Sequence, residues 1–380
     1  MDFDLTEEDA AFQQVVREFA RKEIAPRAEQ WDRDARLPVE LIHQMGDLGL
    51  FGLVFPPEWG GSGGSFTAFC LAVEEIGWAD QSVGITLSAG VGLGAVPIYR
   101  FGDDAQRSAW LPDLVTGRAL AAFGLTEPDG GSDAGALRTR VSDGPGGWVL
   151  DGAKAFITNS GTSITSVITV TARHAHGGVS AFLVPACTPG LQVEPAYRKL
   201  GWHASDTHGL VLADCVIPRE NMLGQEGAGY RNFLATLDDG RISIAALALG
   251  CARACLDAAS DYARTRNAFG GPIGRFQAVA FSLADMATAL EAARGLVLRA
   301  AWLKDHQRPY KQAAAMAKLY ATETAVSATR AATQIFGGAG FLEENPVARF
   351  YRDAKVLEIG EGTSEVQRIV IAKGLELPVT

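Results

Sequence analysis

Near the C-terminus, residues 352–368 (RDAKVLEIGEGTSEVQR) form a helix-like run that breaks at Gly360 and Gly362, which flank one carboxylate, Glu361. Glycine releases the backbone from the helical track, so Glu361 can point into a cavity, where the base for a carbon acid must stand. A solvated turn would have the same sequence, and the tripeptide alone does not separate the two. A second segment, residues 124–136 (GLTEPDGGSDAGA), alternates glycine with short hydroxyl and carboxylate side chains. Its exposed backbone N–H groups would suit an anionic or heteroaromatic ligand. In residues 154–159 (KAFITN), Phe156 and Thr158 occupy alternate positions, which on a strand face the same side.

Taken together, these segments resemble the acyl-CoA dehydrogenase family, flavoenzymes that oxidise the α,β bond of acyl-CoA thioesters. The resemblance runs from Asp4-Leu5-Thr6 to Ile371-Ala372-Lys373. Further anchors are Lys199-Leu200-Gly201, residues 216–221 (VIPREN) and residues 334–341 (QIFGGAGF). It implies bound FAD, with Phe123, Leu125, Thr126, Gly131 and Ser132 lining the flavin and its phosphates and Phe156 and Thr158 against the isoalloxazine ring. Tryptophan often stands where Phe156 does, so the stacking area is smaller here but still apolar. Ser132 would also touch the pantetheine arm.

The same resemblance assigns Arg266, Phe269, Gln277, Gln334 and Gly338 to the FAD of a neighbouring subunit in a homotetramer; an arginine fits a pyrophosphate bidentately. Thr363 and Glu365 would complete the nucleotide contacts. Asp238 and Arg241 match a CoA-facing helix start, although a helix cap with a surface ion pair would look alike. Glu361 would remove the α-proton as the β-hydride passes to flavin N5, giving a trans-2-enoyl-CoA. Some members carry the base immediately before the position of Arg241, which is Gly240 here, leaving Glu361 as the only candidate. The chain looks most like short-chain members, but Gly360 stands where tyrosine often precedes the base. Gly360 and Gly362 would thus border the substrate, with room for branched or cyclic acyl groups. Electron-transferring flavoprotein is the implied acceptor. Two relatives of the same fold are alternatives, a dehydrogenase of acyl carrier protein thioesters and an enoyl-thioester reductase; a non-enzymatic helical scaffold is the alternative of another class.

The elements that must position these residues fall into three zones, an α+β arrangement. Residues 1–120 read as helical, with Thr6 as N-cap and Phe12, Val15, Val16 and Phe19 as an apolar stripe. Residues 121–224 carry short β-branched runs, and Asp151-Gly152 reads as a hairpin turn. Residues 225–380 return to alanine-rich helices over 242–264, 277–305 and 311–336, interrupted at Gly270-Gly271-Pro272 and Arg308-Pro309; they read as an antiparallel bundle. Helices, a β domain and a four-helix bundle, in that order, agree with the resemblance.

Composition narrows the function classes. The chain has 380 residues, 47% of them hydrophobic, enough for large cores. Its net charge of −10, with no basic stripe, argues against a nucleic-acid partner. No apolar run reaches the ~18 residues of a membrane span, so no stable membrane association is expected. The five cysteines are scattered and odd in number and read as reduced thiols; with an acidic N-terminus lacking a targeting pattern, a cytoplasmic location is expected. The six histidines form no metal pattern, and His203 and His208 read as surface residues. Gly60-Gly61-Ser62-Gly63-Gly64 matches a nucleophile elbow, but Pro56-Pro57 uncouples it from any strand, so it reads as a flexible loop. Residues 90–94 (GVGLG) lack the spacing of a Rossmann fingerprint.

Overall fold

In the computed structural model, which describes residues 4–379, seven helices come first: α1 (Glu7–Phe19), α2 (Ala28–Asp34), α3 (Val39–Asp47), α4 (Phe66–Ala79), α5 (Gln81–Ala89), α6 (Val96–Phe101) and α7 (Asp104–Val115). Thr6 caps α1, its hydroxyl accepting the Asp9 N–H at 3.1 Å. The buried face of this segment runs through Gln13, Val16, Ala20 and Ile24; Val15 is 51% exposed and leaves the expected stripe. Gln13 takes a core position because its amide bonds Glu75 at 2.9 Å.

Residues 60–64 are fastened rather than flexible. Gly63 and Gly64 donate to the carbonyls of Phe55 and Leu53 at 2.8 and 2.7 Å. A Cβ at Gly61 would stand 2.0 Å from the Phe55 carbonyl oxygen, which only glycine permits.

Eight strands form the middle sheet: β1 (Leu120–Gly124), β2 (Arg140–Gly144), β3 (Gly147–Thr158), β4 (Thr165–His174), β5 (Val179–Pro185), β6 (Leu191–Val193), β7 (Thr207–Ile217) and β8 (Met222–Leu223). Their order is β6-β7-β3-β2-β4-β5-β8, with β1 pairing parallel to β4. Along β4, Val167 faces the large helical core while Ile168, Val170 and Ala172 face a second core, the period of two expected of a strand covered on both sides. The expected turn at Asp151-Gly152 is absent: β3 runs through it, and the hairpin closes at Gly144–Gly147. Asp151-Gly152 is instead a β-bulge, where Asp151 accepts the Asp214 N–H at 2.8 Å.

The C-terminal region holds α8 (Gly229–Thr265), a small hairpin of β9 (Asn267–Ala268) and β10 (Gly271–Pro272), α9 (Gln277–Asp305), α10 (Lys311–Phe336), α11 (Pro346–Ala354) and α12 (Ser364–Gly374). The bounds of α9 and α10 coincide with those read from the sequence, whereas α8 begins thirteen residues earlier than Ile242. Small residues on α10, namely Ala314, Ala317, Ala321, Ala325 and Ala328, are buried at helical spacing and let the long helices pack closely. Two helical stretches, Gln81–Phe101 and Gly229–Thr265, are in fact long and apolar enough to cross a bilayer. Their apolar 18-residue windows are 89% and 78% buried inside the fold, as in core helices.

Candidate active site

Glu361 stands in the turn between α11 and α12 with φ +54°, and Gly362 follows at φ +97°. The left-handed backbone throws the carboxylate out of the helical path, and the neighbours hold it there. Gln367 donates to the Gly362 carbonyl at 2.8 Å, and Thr363 caps α12 by accepting the Val366 N–H at 3.3 Å. From α10, Lys318 Nζ donates to the same Gly362 carbonyl at 2.8 Å.

The side chain lies against α8. A Cβ at Gly240 would sit 1.7 Å from Glu361 Oε2, so the carboxylate fills the space that a glycine leaves. Asp238 and Arg241 belong to the interior of α8 rather than to a helix start. They pair at 2.5 Å with Arg241 only 7% exposed, so this is no surface ion pair. Asp239 is neutralised by Arg100 at 3.1 Å and Lys304 at 2.8 Å and accepts from the Tyr310 hydroxyl at 2.5 Å. Those contacts balance Asp239 within a continuous helix, where the sequence reads as a helix start.

Glu361 Oε2 is buried and has no hydrogen-bond partner among the described residues. Burial raises its pKa against the opposing charges of Lys318 and Arg241, leaving it at about 7. A carboxylate so placed can accept a proton near neutral pH.

The glycine-rich loop is tied to this region through aromatics. Phe123, at the end of β1, stacks on Phe233 of α8 at 4.0 Å, two turns before Gly240. Leu125 is buried and Thr126 half-buried, whereas Gly131 and Ser132 are exposed. Glu127 anchors the loop, accepting from the Arg138 and Thr139 N–H groups at 2.5 and 3.0 Å and from buried Lys154 at 2.8 Å. On β3, Phe156 adopts φ +61° at a register shift, is 66% exposed, and lies 5.3 Å from the Tyr197 ring. Thr158 is half-buried beside it, with Ile157 turned into the core.

The remaining expected residues lie elsewhere. Tyr262 of α8 stacks on Phe336 of α10 at 4.2 Å, which puts the C-terminal ends of both helices together. Arg266, Phe269, Gln277, Gln334 and Gly338 cluster at that end and are exposed, Phe269 to 91%. Arg266 is 26 residues beyond Gly240, which at the helical rise puts it about 39 Å along the axis from the point where Glu361 meets α8. Thr363 adjoins Glu361, and Glu365 is exposed on the first turn of α12.

Sequence reading missed Lys318, Gln367, Phe233 and the Glu127–Lys154 pair as parts of this region. Lys318 alone left a signal, a single charge amid Ala313, Ala314, Ala315 and Ala317 on a core face. The histidine reading also needs correction. His203 bonds Asp32 at 3.0 Å and His208 bonds Asp206 at 2.8 Å, both half-buried rather than on the surface. His174, His176 and Glu226 bring ligand atoms within 4.8 Å of one another. The two imidazoles stack with planes 6° apart, so their in-plane lone pairs run parallel instead of converging on an ion.

Comparison with known proteins matches this arrangement throughout. Residues 6–118, 122–215 and 227–376 match the N-terminal, middle and C-terminal domains of acyl-CoA dehydrogenase, in that order. The chain belongs to the acyl-CoA dehydrogenase family. It is 48% identical to "Probable acyl-CoA dehydrogenase YngJ" of Bacillus subtilis over 99% of this chain and 100% of the relative. It is 46% identical to the mouse mitochondrial short-chain specific acyl-CoA dehydrogenase over 97% of this chain and 90% of that one. The solved structure of butyryl-CoA dehydrogenase from Megasphaera elsdenii superposes with a TM-score of 0.96 at 43% identity, covering 99% of this chain and all of the other.

Membership makes the chain a flavin oxidoreductase that works with FAD and excludes the scaffold reading. The residues present fit the cofactor. An aromatic ring forced out of the sheet by a positive φ offers a flat apolar face, beside a loop whose exposed Gly131 has nothing within 4 Å of where a Cβ would stand.

Proposed function

We propose that the enzyme oxidises the α,β bond of a short-chain, butyryl-type acyl-CoA to the trans-2-enoyl-CoA, with Glu361 as the base that takes the α-proton. The observation that carries this reading is the Glu361 carboxylate itself: buried against Gly240, with an unpartnered oxygen and a pKa raised to about 7. Bound FAD supplies the hydride acceptor. Phe123, Leu125, Thr126, Gly131, Ser132, Phe156 and Thr158 hold it, with Thr363 and Glu365 toward the nucleotide. Ser132, Asp238, Arg241, Gly360 and Gly362 border the substrate; the unpartnered Nε of buried Arg241 supports a ligand there. Short-chain preference is supported by the mouse and Megasphaera relatives.

The separation of about 39 Å between Glu361 and the Arg266 cluster supports a flavin site shared between copies, within a homotetramer. The family supports electron-transferring flavoprotein as acceptor, and five free cysteines, four of them buried, suit a reducing cytoplasm. Gly360 favours admission of branched or cyclic acyl groups, since a Cβ there would meet nothing closer than the Val356 carbonyl at 3.5 Å. The test is anaerobic mixing of holoprotein with butyryl-CoA, following flavin absorbance. Bleaching by butyryl-CoA faster than by long-chain thioesters is the expected result; no bleaching by any acyl-CoA would refute the reading.

A further inference from the structure

Lys318 is fully buried on α10, in the alanine-lined face packed against α8. An ammonium carries three donors and is costly to bury unless compensated. The hydrogen bond it makes is to the Gly362 carbonyl at 2.8 Å, and among the described residues no carboxylate lies within ion-pair distance of it. The charges on the packed elements are otherwise engaged. On α8, Asp238 is paired with Arg241, and Asp239 with Arg100 and Lys304. In the turn after α11, Glu358 is paired with Lys355 at 2.6 Å, and on α12 Glu365 is exposed. Glu361, whose carbonyl carbon precedes the Gly362 peptide that Lys318 grips, is the carboxylate left to balance this cation.

We propose that Lys318 is a positioning residue that fixes the Glu361–Gly362 turn and, by its charge, keeps the Glu361 carboxylate ionised and ready to accept a proton. The inference deepens the proposed function and rests on Glu361 being the base. Each group acts on the other: burial lowers the Lys318 pKa against the opposing charge of Glu361, leaving it at about 8, while Lys318 opposes the upward push of burial on Glu361. Arg241 contributes in the same direction as Lys318 but is already committed to Asp238. Removal of the Lys318 charge therefore leaves Glu361 harder to ionise.

Two readouts test this on holoenzyme. The first is the Glu361 carboxyl band in the infrared spectrum, isolated as the difference from Glu361→Gln and titrated with pH in the parent, Lys318→Met and Lys318→Arg. The second is the pH profile of flavin bleaching by butyryl-CoA in the same proteins. In Lys318→Met the carboxyl midpoint and the acid limb of the rate profile should both move up by about one unit or more, with Lys318→Arg close to the parent. An unmoved carboxyl midpoint would overturn the proposal. A midpoint that moves while the acid limb stays would uphold the charge coupling and overturn Glu361 as the base, and with it the positioning role. Should Lys318→Met not fold, the double variant Glu361→Gln/Lys318→Met should, because it buries no unbalanced carboxylate; failure of both would also overturn the proposal.

Discussion

At the scale of single residues, Gly240 leaves the volume that the Glu361 carboxylate fills. With a Cβ 1.7 Å from Oε2, Gly240→Ala must displace the carboxylate. A shift of that order should cost roughly 10²-fold in the reductive half-reaction with the flavin spectrum retained, read by stopped-flow absorbance. Glu361→Gln keeps shape and removes basicity, so it should bind flavin yet lose at least ~10²-fold in bleaching rate. If it bleached as fast as the parent, the base would have to be sought elsewhere. Gly360 acts on substrate shape instead. Gly360→Tyr should depress turnover of α- or β-branched acyl-CoAs more than of butyryl-CoA, profiled with an artificial electron acceptor; equal losses would make Gly360 a backbone feature only.

Among the elements, the loop between β1 and β2 depends on one buried pair. Burial opposes ionisation of Glu127, but Lys154 and the loop N–H groups hold its carboxyl below the usual range. Lys154 is itself buried, so deleting either partner strands the other charge. Lys154→Met should lower unfolding free energy by about 3–5 kcal/mol in urea titration and weaken flavin retention on gel filtration. Little change in either would show that the loop is held by its backbone alone. The same reasoning explains where local reading failed: Asp151-Gly152 has the composition of a turn, but Asp214 on β7 engages Asp151 and converts it into a bulge.

At the scale of the whole molecule, Asp353 of α11 joins regions far apart in sequence by accepting the Trp202 N–H at 2.6 Å. Burial, helped by nearby Asp80, pushes its pKa up to about 7. The folded protein thus binds this proton more tightly than the unfolded chain, where an aspartate titrates near ~4. Its contribution to stability is complete below that value and is lost as pH rises through 7. The stability advantage of the parent over Asp353→Asn should accordingly grow by about 2.5 kcal/mol between pH 8 and pH 5, measured by urea unfolding at each pH. A pH-independent difference would mean that Asp353 stays ionised throughout. Light scattering of holoprotein should give a tetramer, since the Arg266 cluster lies a bundle's length from Glu361; a stable flavin-bearing monomer would refute the shared site.

What the sequence determined by itself was local. The Arg308-Pro309 break falls between the end of α9 and the start of α10, Gly270-Gly271-Pro272 falls in the hairpin between α8 and α9, and the glycines around Glu361 announced a carboxylate leaving the helix. These features depend on backbone preferences of a few adjacent residues, which a linear chain displays in full. The order of helices, β domain and bundle was legible for the same reason, because hydrophobic period changes along the chain. Tertiary structure alone decided that α8 runs unbroken through Asp238-Asp239-Gly240, since the charges that relieve Asp239 come from Arg100 and Lys304. It also decided that Lys318 lies beneath Glu361, and that residues of one motif set stand at opposite ends of the bundle. Those facts are set by contacts between residues distant along the chain, where packing and the cost of unbalanced buried charge outweigh any local preference.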